Sequence, residues 1–257
     1  MKIRTALTIL KPGNLLNHRL GYCSVCSKRT IFFINGSLET IRNHAPCLYC
    51  RSCSRYRHMA KTILETYRER GIETLADFKN HPDIVVFNTI STGPIVKRMG
   101  KGANIICSEY FDDTESGQIK NGVLCQDLQK LTLMDDSIDL VISEDVFEHI
   151  PDYRAAFGEV YRVLKNGGHH IFSIPFYFGE KTRDLFEVKN GKRVLFETVE
   201  YHGDPVRGLI PCYTRFGYDV LDFIRQIGFE ARLEISRYED EVRFGTFDCF
   251  TFITRKS

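Results

Sequence analysis

Two cysteine pairs near the start of the chain limit its fold more than any other feature of the sequence. Cys23 and Cys26 are separated by two residues, Cys47 and Cys50 are separated in the same way, and twenty residues lie between the pairs. Each tight turn can direct two sulfurs at one ion, and two such turns complete a tetrahedron. We therefore predict a zinc-ribbon-like module over residues 1–57. Its zinc is expected to be structural, because four cysteine ligands leave no coordination position for water or substrate.

Other interpretations of these cysteines stay open on the sequence alone. Cys53 is also two residues from Cys50 and could replace Cys47 as a ligand, although we prefer Cys47. Disulfides are disfavoured in a reducing compartment, and a redox site would need only one such pair. The apolar stretch from Thr30, followed by Asn35 and Gly36, predicts a strand that ends in a turn, as in a zinc ribbon.

Length and composition indicate a globular protein without a membrane span. The chain has 257 residues, of which 43% are hydrophobic and 26% charged, which fits one large domain with a small appendage. No stretch approaches the ~20 apolar residues of a transmembrane helix. The basic N-terminus is followed by an apolar patch that is too short for a signal peptide and has no small-residue cleavage site. We expect a cytoplasmic protein with no membrane partner.

Charge divides the chain into two parts. Residues 1–70 hold 13 Lys and Arg against 3 Asp and Glu, whereas residues 71–257 hold 22 against 30. A basic segment could bind phosphates, a polyanion or its own acidic neighbour. Cationic residues beside the cysteine pairs would also favour thiolates and offset the negative charge of a zinc site with four thiolates. The residues in that position are Lys28, Arg29, Arg51, Arg55 and Arg57.

Hydrophobic periodicity predicts linking helices over residues 58–82. Met59, Ile63 and Tyr67 recur every four residues on one face of a helix that should cover 56–70, and Gly71 stands at its C-terminal cap.

From Asp83 onward strands alternate with helices, which predicts a parallel α/β sheet. The expected fold is α/β, Rossmann-like, with seven mostly parallel strands and an antiparallel final strand over residues 83–257. The last two strands are joined by a connection that is too short for a crossover helix. An insert at 176–214 interrupts the alternation and contains a hairpin around Asn190 and Gly191. The predicted strands cover 83–88, 104–109, 123–126, 138–143, 169–174, 230–236 and 247–254, and the predicted helices cover 94–99, 152–164 and 218–227.

Two motifs in the second part of the chain resemble a known family. Ser137–Asp152 reads SIDLVISEDVFEHIPD and Arg162–Gly168 reads RVLKNGG. Both are similar to class I S-adenosylmethionine-dependent methyltransferases of the type 11 group. The similarity extends back through Ile106–Tyr110 and Cys125–Leu131 and forward to the last strand pair. The cysteine pairs also resemble those of bacterial methyltransferases that carry an N-terminal zinc ribbon.

The resemblance implies that S-adenosylmethionine binds at the carboxyl ends of the strands, where the strand order reverses. A carboxylate at Glu109 would accept both ribose hydroxyls, and Asp127 would accept the adenine amino group. Ser143 and Glu144 would lie near the methionine part and its sulfonium. The residues implied to bind the cofactor are Asn88, Thr89, Gly93, Glu109, Tyr110, Asp127, Leu128, Ser143 and Glu144.

The first loop departs from the family pattern. The family's glycine-rich loop is replaced by residues 87–94, FNTISTGP, in which Gly93 is the only glycine, although amide and hydroxyl side chains there can still supply hydrogen bonds. This departure leaves an alternative function: a non-catalytic zinc-ribbon module that binds RNA or another polyanion on a degenerate methyltransferase scaffold. A dehydrogenase is a second rival, since Glu109 lies about 20 residues after the loop, but the chain lacks G-x-G-x-x-G.

The sequence does not identify the acceptor of the methyl group. The insert at 176–214 is expected to shape the acceptor pocket, and its mixture of aromatic and charged residues suits a small molecule, a sugar or a protein side chain. Nucleic acid is not favoured, because the few aromatic residues of the ribbon suit a core better than a binding face. No catalytic residue is assigned. The candidates for a general base are His149, Tyr177, Glu180 and His202.

Overall fold

The fold is taken from a computed structural model, which describes residues 18–34, 42–204 and 206–257. The basic N-terminal segment and the predicted turn at Asn35 and Gly36 lie outside the described residues.

The described residues divide into two compact units. The predicted linking segment at 58–82 lies almost entirely in the first unit, which also includes two later pieces of the chain. Of the described residues, the first unit comprises those up to 81 with 92–101 and 233–251, and the second comprises those in 82–91, 102–232 and 252–257.

Strands outnumber helices in the described residues. The strands are β1 (His18–Cys23), β2 (Lys28–Phe33), β3 (Val86–Asn88), β4 (Ile105–Glu109), β5 (Ile119–Lys120), β6 (Val123–Cys125), β7 (Ile138–Glu144), β8 (Leu164–Ser173), β9 (Phe176–Tyr177), β10 (Arg183–Asp184), β11 (Phe186–Lys189), β12 (Lys192–Leu195), β13 (Tyr201–Asp204), β14 (Gly208–Pro211), β15 (Thr214–Gly217), β16 (Phe229–Ile235) and β17 (Phe250–Lys256). The α-helices are α1 (Ser54–Thr66), α2 (Pro94–Met99), α3 (Tyr153–Val163), α4 (Val220–Ile227) and α5 (Tyr238–Phe244).

The first unit is built around the hairpin β1–β2 and helix α1. The two strands pair antiparallel, and the turn between them carries Cys26. Helix α1 buries Met59 and Ile63, as the periodicity predicts, but it starts two residues earlier and ends sooner than expected. A 3₁₀ turn follows and stops at Gly71, whose φ of 79° is the left-handed conformation in which a glycine lacks the Cβ penalty.

The second unit contains a large, mostly parallel sheet, which confirms the predicted Rossmann-like α/β fold. Its strand order is β16-β17-β8-β7-β3-β4-β6-β5. The pairs β3–β4, β3–β7, β4–β6 and β7–β8 are parallel, and β17 lies antiparallel to β8 as predicted for the final strand. Strand β3 is buried at every residue and β7 at all but one, because central parallel strands are covered on both faces.

Three details of the sheet differ from the prediction. The sheet has eight strands rather than seven, since β5 adds a two-residue antiparallel edge to β6. Strand β8 starts at Leu164 rather than at 169, so the two glycines expected to stop the preceding helix lie within the strand. The connection between the last two strands holds the short helix α5, which the sequence did not predict.

The insert forms small antiparallel ribbons. The predicted hairpin is β11–β12, and its turn has positive φ at both Asn190 and Gly191, as a type I′ turn requires. A second hairpin, β13–β14, follows it, and β15 pairs with β10 and β9.

No α-helix among the described residues is both long enough and apolar enough to cross a bilayer.

Candidate cofactor cleft and metal centre

The four predicted zinc ligands lie together in the first unit. The sulfurs of Cys23, Cys26, Cys47 and Cys50 all fall within 4.8 Å of one another. The distance is 3.6 Å from Cys23 to Cys50 and 3.9 Å from Cys26 to Cys47. Zinc–sulfur bonds of about 2.3 Å would place the sulfurs of a tetrahedron about 3.8 Å apart. The cluster therefore fits a tetrahedral zinc ion, whereas Cys53 lies outside it at the N-terminal cap of α1.

Hydroxyl groups and one buried cation surround the cluster. The Ser52 hydroxyl oxygen lies 3.4 Å from the sulfur of Cys23 and 3.1 Å from that of Cys50. Burial raises the pKa of the Cys26 thiol to about 12, so zinc binding at this residue must displace a proton. Of the five predicted basic neighbours, Arg57 is completely buried at 0% exposure. Burial lowers the pKa of its guanidinium, and the nearby cysteines oppose that shift.

Cysteine variants test the ligand set. Cys47→Ser is expected to lower the zinc content of the purified protein by one equivalent, because it removes one of four converging sulfurs. Cys53→Ser, a matched change outside the cluster, is expected to leave the zinc content unchanged. Mass spectrometry of metals after gel filtration measures both. The reverse result, with loss only in Cys53→Ser, would show that Cys53 is the ligand.

The predicted cofactor residues lie where parallel strands end at one edge of the sheet. Asn88 ends β3, Glu109 ends β4 and Glu144 ends β7. Asp127 lies two residues beyond Cys125, which pairs directly with Glu109 in the β4–β6 ladder. The strand order reverses at β3, with β4 and β6 on one side and β7 and β8 on the other. A crevice at such a reversal is the usual ligand site of an open α/β sheet.

Glu109 is held by the first loop. Its carboxylate oxygen Oε1 accepts hydrogen bonds from the backbone N–H and the hydroxyl of Ser91, each at 2.8 Å. The serine thus positions the carboxylate in place of a glycine-rich loop. An ionised carboxylate has about four acceptor sites, so Glu109 keeps the capacity to accept ligand hydroxyls.

A cavity opens beside Asp127. Four of the predicted residues line it: Thr89, Tyr110, Asp127 and Leu128. The Asp127 oxygen Oδ1 accepts from the backbone N–H of Gln129 at 2.9 Å and from its side-chain amide at 3.0 Å. These bonds fix the carboxylate at the cavity wall. Burial raises the pKa of the Tyr110 hydroxyl, which keeps it a neutral donor.

The insert supplies part of the wall of this cavity. Its residues Arg207 and Tyr213 line the cavity together with His149 and the predicted cofactor residues. Arg207 and Tyr213 were not named from the sequence. The Arg207 guanidinium lies 5.2 Å from the centre of the Tyr110 ring and 4.0 Å from the Asp112 carboxylate. No sequence pattern could have indicated Arg207 or Tyr213, because each is a single residue in an irregular stretch whose path is set by tertiary packing.

The other predicted cofactor residues have different surroundings. Ser143 is fully buried, and its hydroxyl is 2.8 Å from Nε2 of His170. Burial lowers the pKa of His170 to about 3, so this core histidine is neutral. Asn88 is buried with its side chain against Cys107. Gly93 caps α2 with a φ of 120° and is counted with the first unit.

The four candidates for a general base form two pairs. His149 donates from Nδ1 to the carbonyl of Pro211 at 2.8 Å, and its Nε2 lies 3.2 Å from Nδ1 of His202. The other two candidates both contact the Arg215 guanidinium, which is 3.6 Å from the centre of the Tyr177 ring and 3.0 Å from Glu180 Oε1. Burial raises the pKa of the Tyr177 hydroxyl. The pairing of the two histidines was not predicted.

Comparison with protein families finds one match. Residues 97–172 match the family described as a methyltransferase domain. This segment includes Glu109, Asp127, Ser143 and Glu144 and ends within β8. No curated protein is significantly similar to the chain.

Solved structures of S-adenosylmethionine-dependent methyltransferases are similar at low sequence identity. The protein from Mesorhizobium loti is 16% identical with a TM-score of 0.42, and the match covers 67% of this chain and 91% of that one. The protein from Clostridium acetobutylicum is 15% identical with a TM-score of 0.42 and covers 77% and 98%. The one from Methanosarcina mazei is 14% identical with a TM-score of 0.37 and covers 66% and 91%. None of these descriptions names an acceptor.

Proposed function

We propose that this chain transfers the methyl group of S-adenosylmethionine to a nucleophilic oxygen, nitrogen or carbon atom of an acceptor. The observation that carries the proposal is the placement of Glu109 at the end of β4 and of Asp127 just beyond β6, its parallel neighbour, at the edge of the sheet where the strand order reverses. The methyltransferase-domain match over residues 97–172 supports it. Nothing in the comparisons favours a non-catalytic polyanion-binding module over this function.

We propose that the nine predicted residues bind different parts of the cofactor. Glu109 accepts the ribose hydroxyls through a charged carboxylate, and Asp127 accepts the adenine amino group. The backbone N–H of Leu128 donates to the adenine ring. At the other end, Glu144 and the backbone of Ser143 face the methionine part. Around these groups the first loop and the next strand contribute Asn88, Thr89, Gly93 and Tyr110.

Bound S-adenosylmethionine supplies an activated methyl group on a positively charged sulfur. The protein's own contribution is to align the acceptor with that group and to keep water away, and alignment alone can supply ~7–11 kcal/mol. The insert at 176–214 brings Arg207 and Tyr213 to the cleft, and these side chains suit a small-molecule, sugar or protein acceptor with polar groups. The reaction is proposed to take place in the cytoplasm, where thiols stay reduced and can bind the structural zinc.

Calorimetric titration of the full-length protein with S-adenosylmethionine tests the function directly. We expect one binding site per chain, with S-adenosylhomocysteine competing for it because the two share the adenosine that Glu109 and Asp127 are proposed to hold. The absence of binding at millimolar concentrations of both compounds would overturn the proposal.

A further inference from the structure

A second group of metal-ligating side chains lies in the second unit and shares no residue with the cysteine cluster. The donor atoms of His149, His202 and Cys212 all fall within 4.8 Å of one another. Their exposed fractions are small for two members, at 7% for the His149 side chain and 5% for Cys212, while the His202 side chain is 37% exposed. Two imidazoles and a thiol brought together from distant parts of the sequence form a donor set that suits zinc.

The distances place the three donor groups close enough to share one ion. His149 Nε2 lies 3.2 Å from His202 Nδ1, and the sulfur of Cys212 lies 3.6 Å from His202 Nδ1 and 3.5 Å from His202 Nε2. Zinc bonds of about 2.0–2.1 Å to nitrogen and about 2.3 Å to sulfur separate two nitrogens by roughly 3.3 Å and nitrogen from sulfur by roughly 3.6 Å. The distance between the two nitrogens therefore matches a tetrahedral ion, and the sulfur would shift relative to the His202 ring when it binds the same ion.

The buried carboxylate of Glu148 lies beside this group, outside the 4.8 Å that contains its three donor atoms. Its Oε1 lies 3.6 Å from His149 Nε2 and 3.8 Å from His202 Nδ1, and its side chain is 1% exposed. One carboxylate and one thiolate would also neutralise the charge of a divalent ion, which allows such an ion to be buried.

Neighbouring groups fix the histidines in the form that binds metal. His149 donates its Nδ1 proton to the Pro211 carbonyl at 2.8 Å, so its Nε2 carries the lone pair that points toward the cluster. The other ring nitrogen of His202 lies 3.8 Å from the Glu200 carboxylate. The backbone N–H of Cys212 donates to the Glu200 carbonyl at 2.9 Å, and this bond holds the cysteine next to the strand that carries His202. Such outer contacts are typical of metal-binding histidines.

We propose that His149, His202 and Cys212 bind a zinc ion at the wall of the cleft, with the carboxylate of Glu148 beside it. This ion links the turn after β7 to the β13–β14 hairpin of the insert, and it thereby holds the insert in place beside the cavity. With both imidazoles on the ion, neither histidine is available as a general base, which leaves Tyr177 and Glu180. The proposal does not depend on the methyl-transfer function, because it concerns only metal binding.

Zinc stoichiometry of the full-length protein tests the proposal. The wild type is expected to hold two equivalents of zinc after gel filtration, one in each cluster. Cys212→Ser is expected to lose one equivalent, and Cys107→Ser, which replaces a cysteine outside both clusters, is expected to lose none. Zinc content in Cys212→Ser equal to that of the wild type would overturn the proposal.

Cobalt substitution and a second variant keep the proposal testable even if Cys212→Ser does not fold. Bound Co²⁺ should show one spectral component for a site with four thiolates and a weaker one for a site with a single thiolate. His202→Asn, in the part-exposed hairpin, should remove the weaker component and leave the stronger one unchanged. A wild-type spectrum with only the four-thiolate component would contradict the second site, whatever the variants do.

Discussion

Replacing Arg57 by methionine is expected to lower the free energy of unfolding by about 3–5 kcal/mol, because each buried carbonyl group that loses its donor costs ~1–3 kcal/mol. The guanidinium is completely buried. Its Nε donates to the carbonyl of Phe244 at 3.0 Å, and one terminal nitrogen donates to Ala45 and Gly245 at 2.7 and 2.6 Å. The other terminal nitrogen donates to the carbonyl of Ser52. Methionine fills similar space but donates nothing, so four carbonyl groups lose a donor.

Lysine at the same position separates charge from geometry. The Arg57 guanidinium also stacks 4.1 Å from the centre of the Phe32 ring, and its planar fork reaches carbonyls on three segments at once. An ammonium keeps the charge but cannot reproduce the fork. Arg57→Lys is therefore expected to recover less than half of the stability lost in Arg57→Met.

Urea denaturation at constant zinc concentration measures both variants. The matched control is Arg55→Met, on the same helix, because the contact of Arg55 with Asn43 at 3.2 Å is exposed. Its loss should stay near the ±0.5 kcal/mol of an ordinary surface change. If Arg57→Met were no less stable than Arg55→Met, the buried contacts of Arg57 would not support the first unit.

Arg57 lies beside the predicted zinc ligands in the sequence, but no sequence feature distinguishes it from the four other basic residues there. What distinguishes it is burial against Phe244 and Gly245, and the bond to Gly245 spans 188 residues of chain. Gly245 has a φ of 62°, and a Cβ there would lie 2.4 Å from the Phe32 ring. Contacts of this kind depend on how distant segments meet, which local patterns do not encode.

The main strands were predictable because the central strands are buried on both faces and so appear as continuous apolar runs. The errors fell on short or glycine-containing segments. Gly167 and Gly168 are residues that often end a helix, yet both lie within β8. The neighbouring strand β7 has a register shift between Ile138 and Leu140 where it pairs with β8. The two-residue strand β5 pairs at the sheet edge, and it is too short to show the apolar alternation that predicts a strand.

The residues of the candidate site likewise include some that the sequence could identify and some that it could not. Glu109 and Asp127 could be named because the resemblance to methyltransferases implies roles for the residues that follow these strands, and the ends of parallel strands meet at one edge of the sheet. The meeting of His202 and Cys212 with His149 could not, because it depends on the register of the β13–β14 hairpin, in which His202 pairs with Ile210. Cys212 follows that hairpin as an isolated cysteine and has no spacing signal.

Replacing Glu109 by glutamine is expected to weaken S-adenosylmethionine binding by about 2–3 kcal/mol, or roughly 30- to 150-fold. The charged carboxylate is proposed to accept the ribose hydroxyls, and hydrogen bonds to charged groups are stronger than those to neutral amides. Glutamine has nearly the same shape, and its amide oxygen can still accept from Ser91. The change therefore removes charge with little disturbance of the first loop. Calorimetric titration measures the two dissociation constants.

The effect of Glu109→Gln should be equal for S-adenosylmethionine and S-adenosylhomocysteine, because both carry the same ribose. Glu144→Gln should instead weaken S-adenosylmethionine more, since Glu144 is proposed to face the positive sulfonium, which S-adenosylhomocysteine lacks. Glu187→Gln, on the exposed β11–β12 hairpin, is the control and should change neither affinity. Unchanged binding of both compounds in Glu109→Gln would show that this carboxylate does not bind the cofactor, because a carboxylate that holds the ribose must contribute to both affinities.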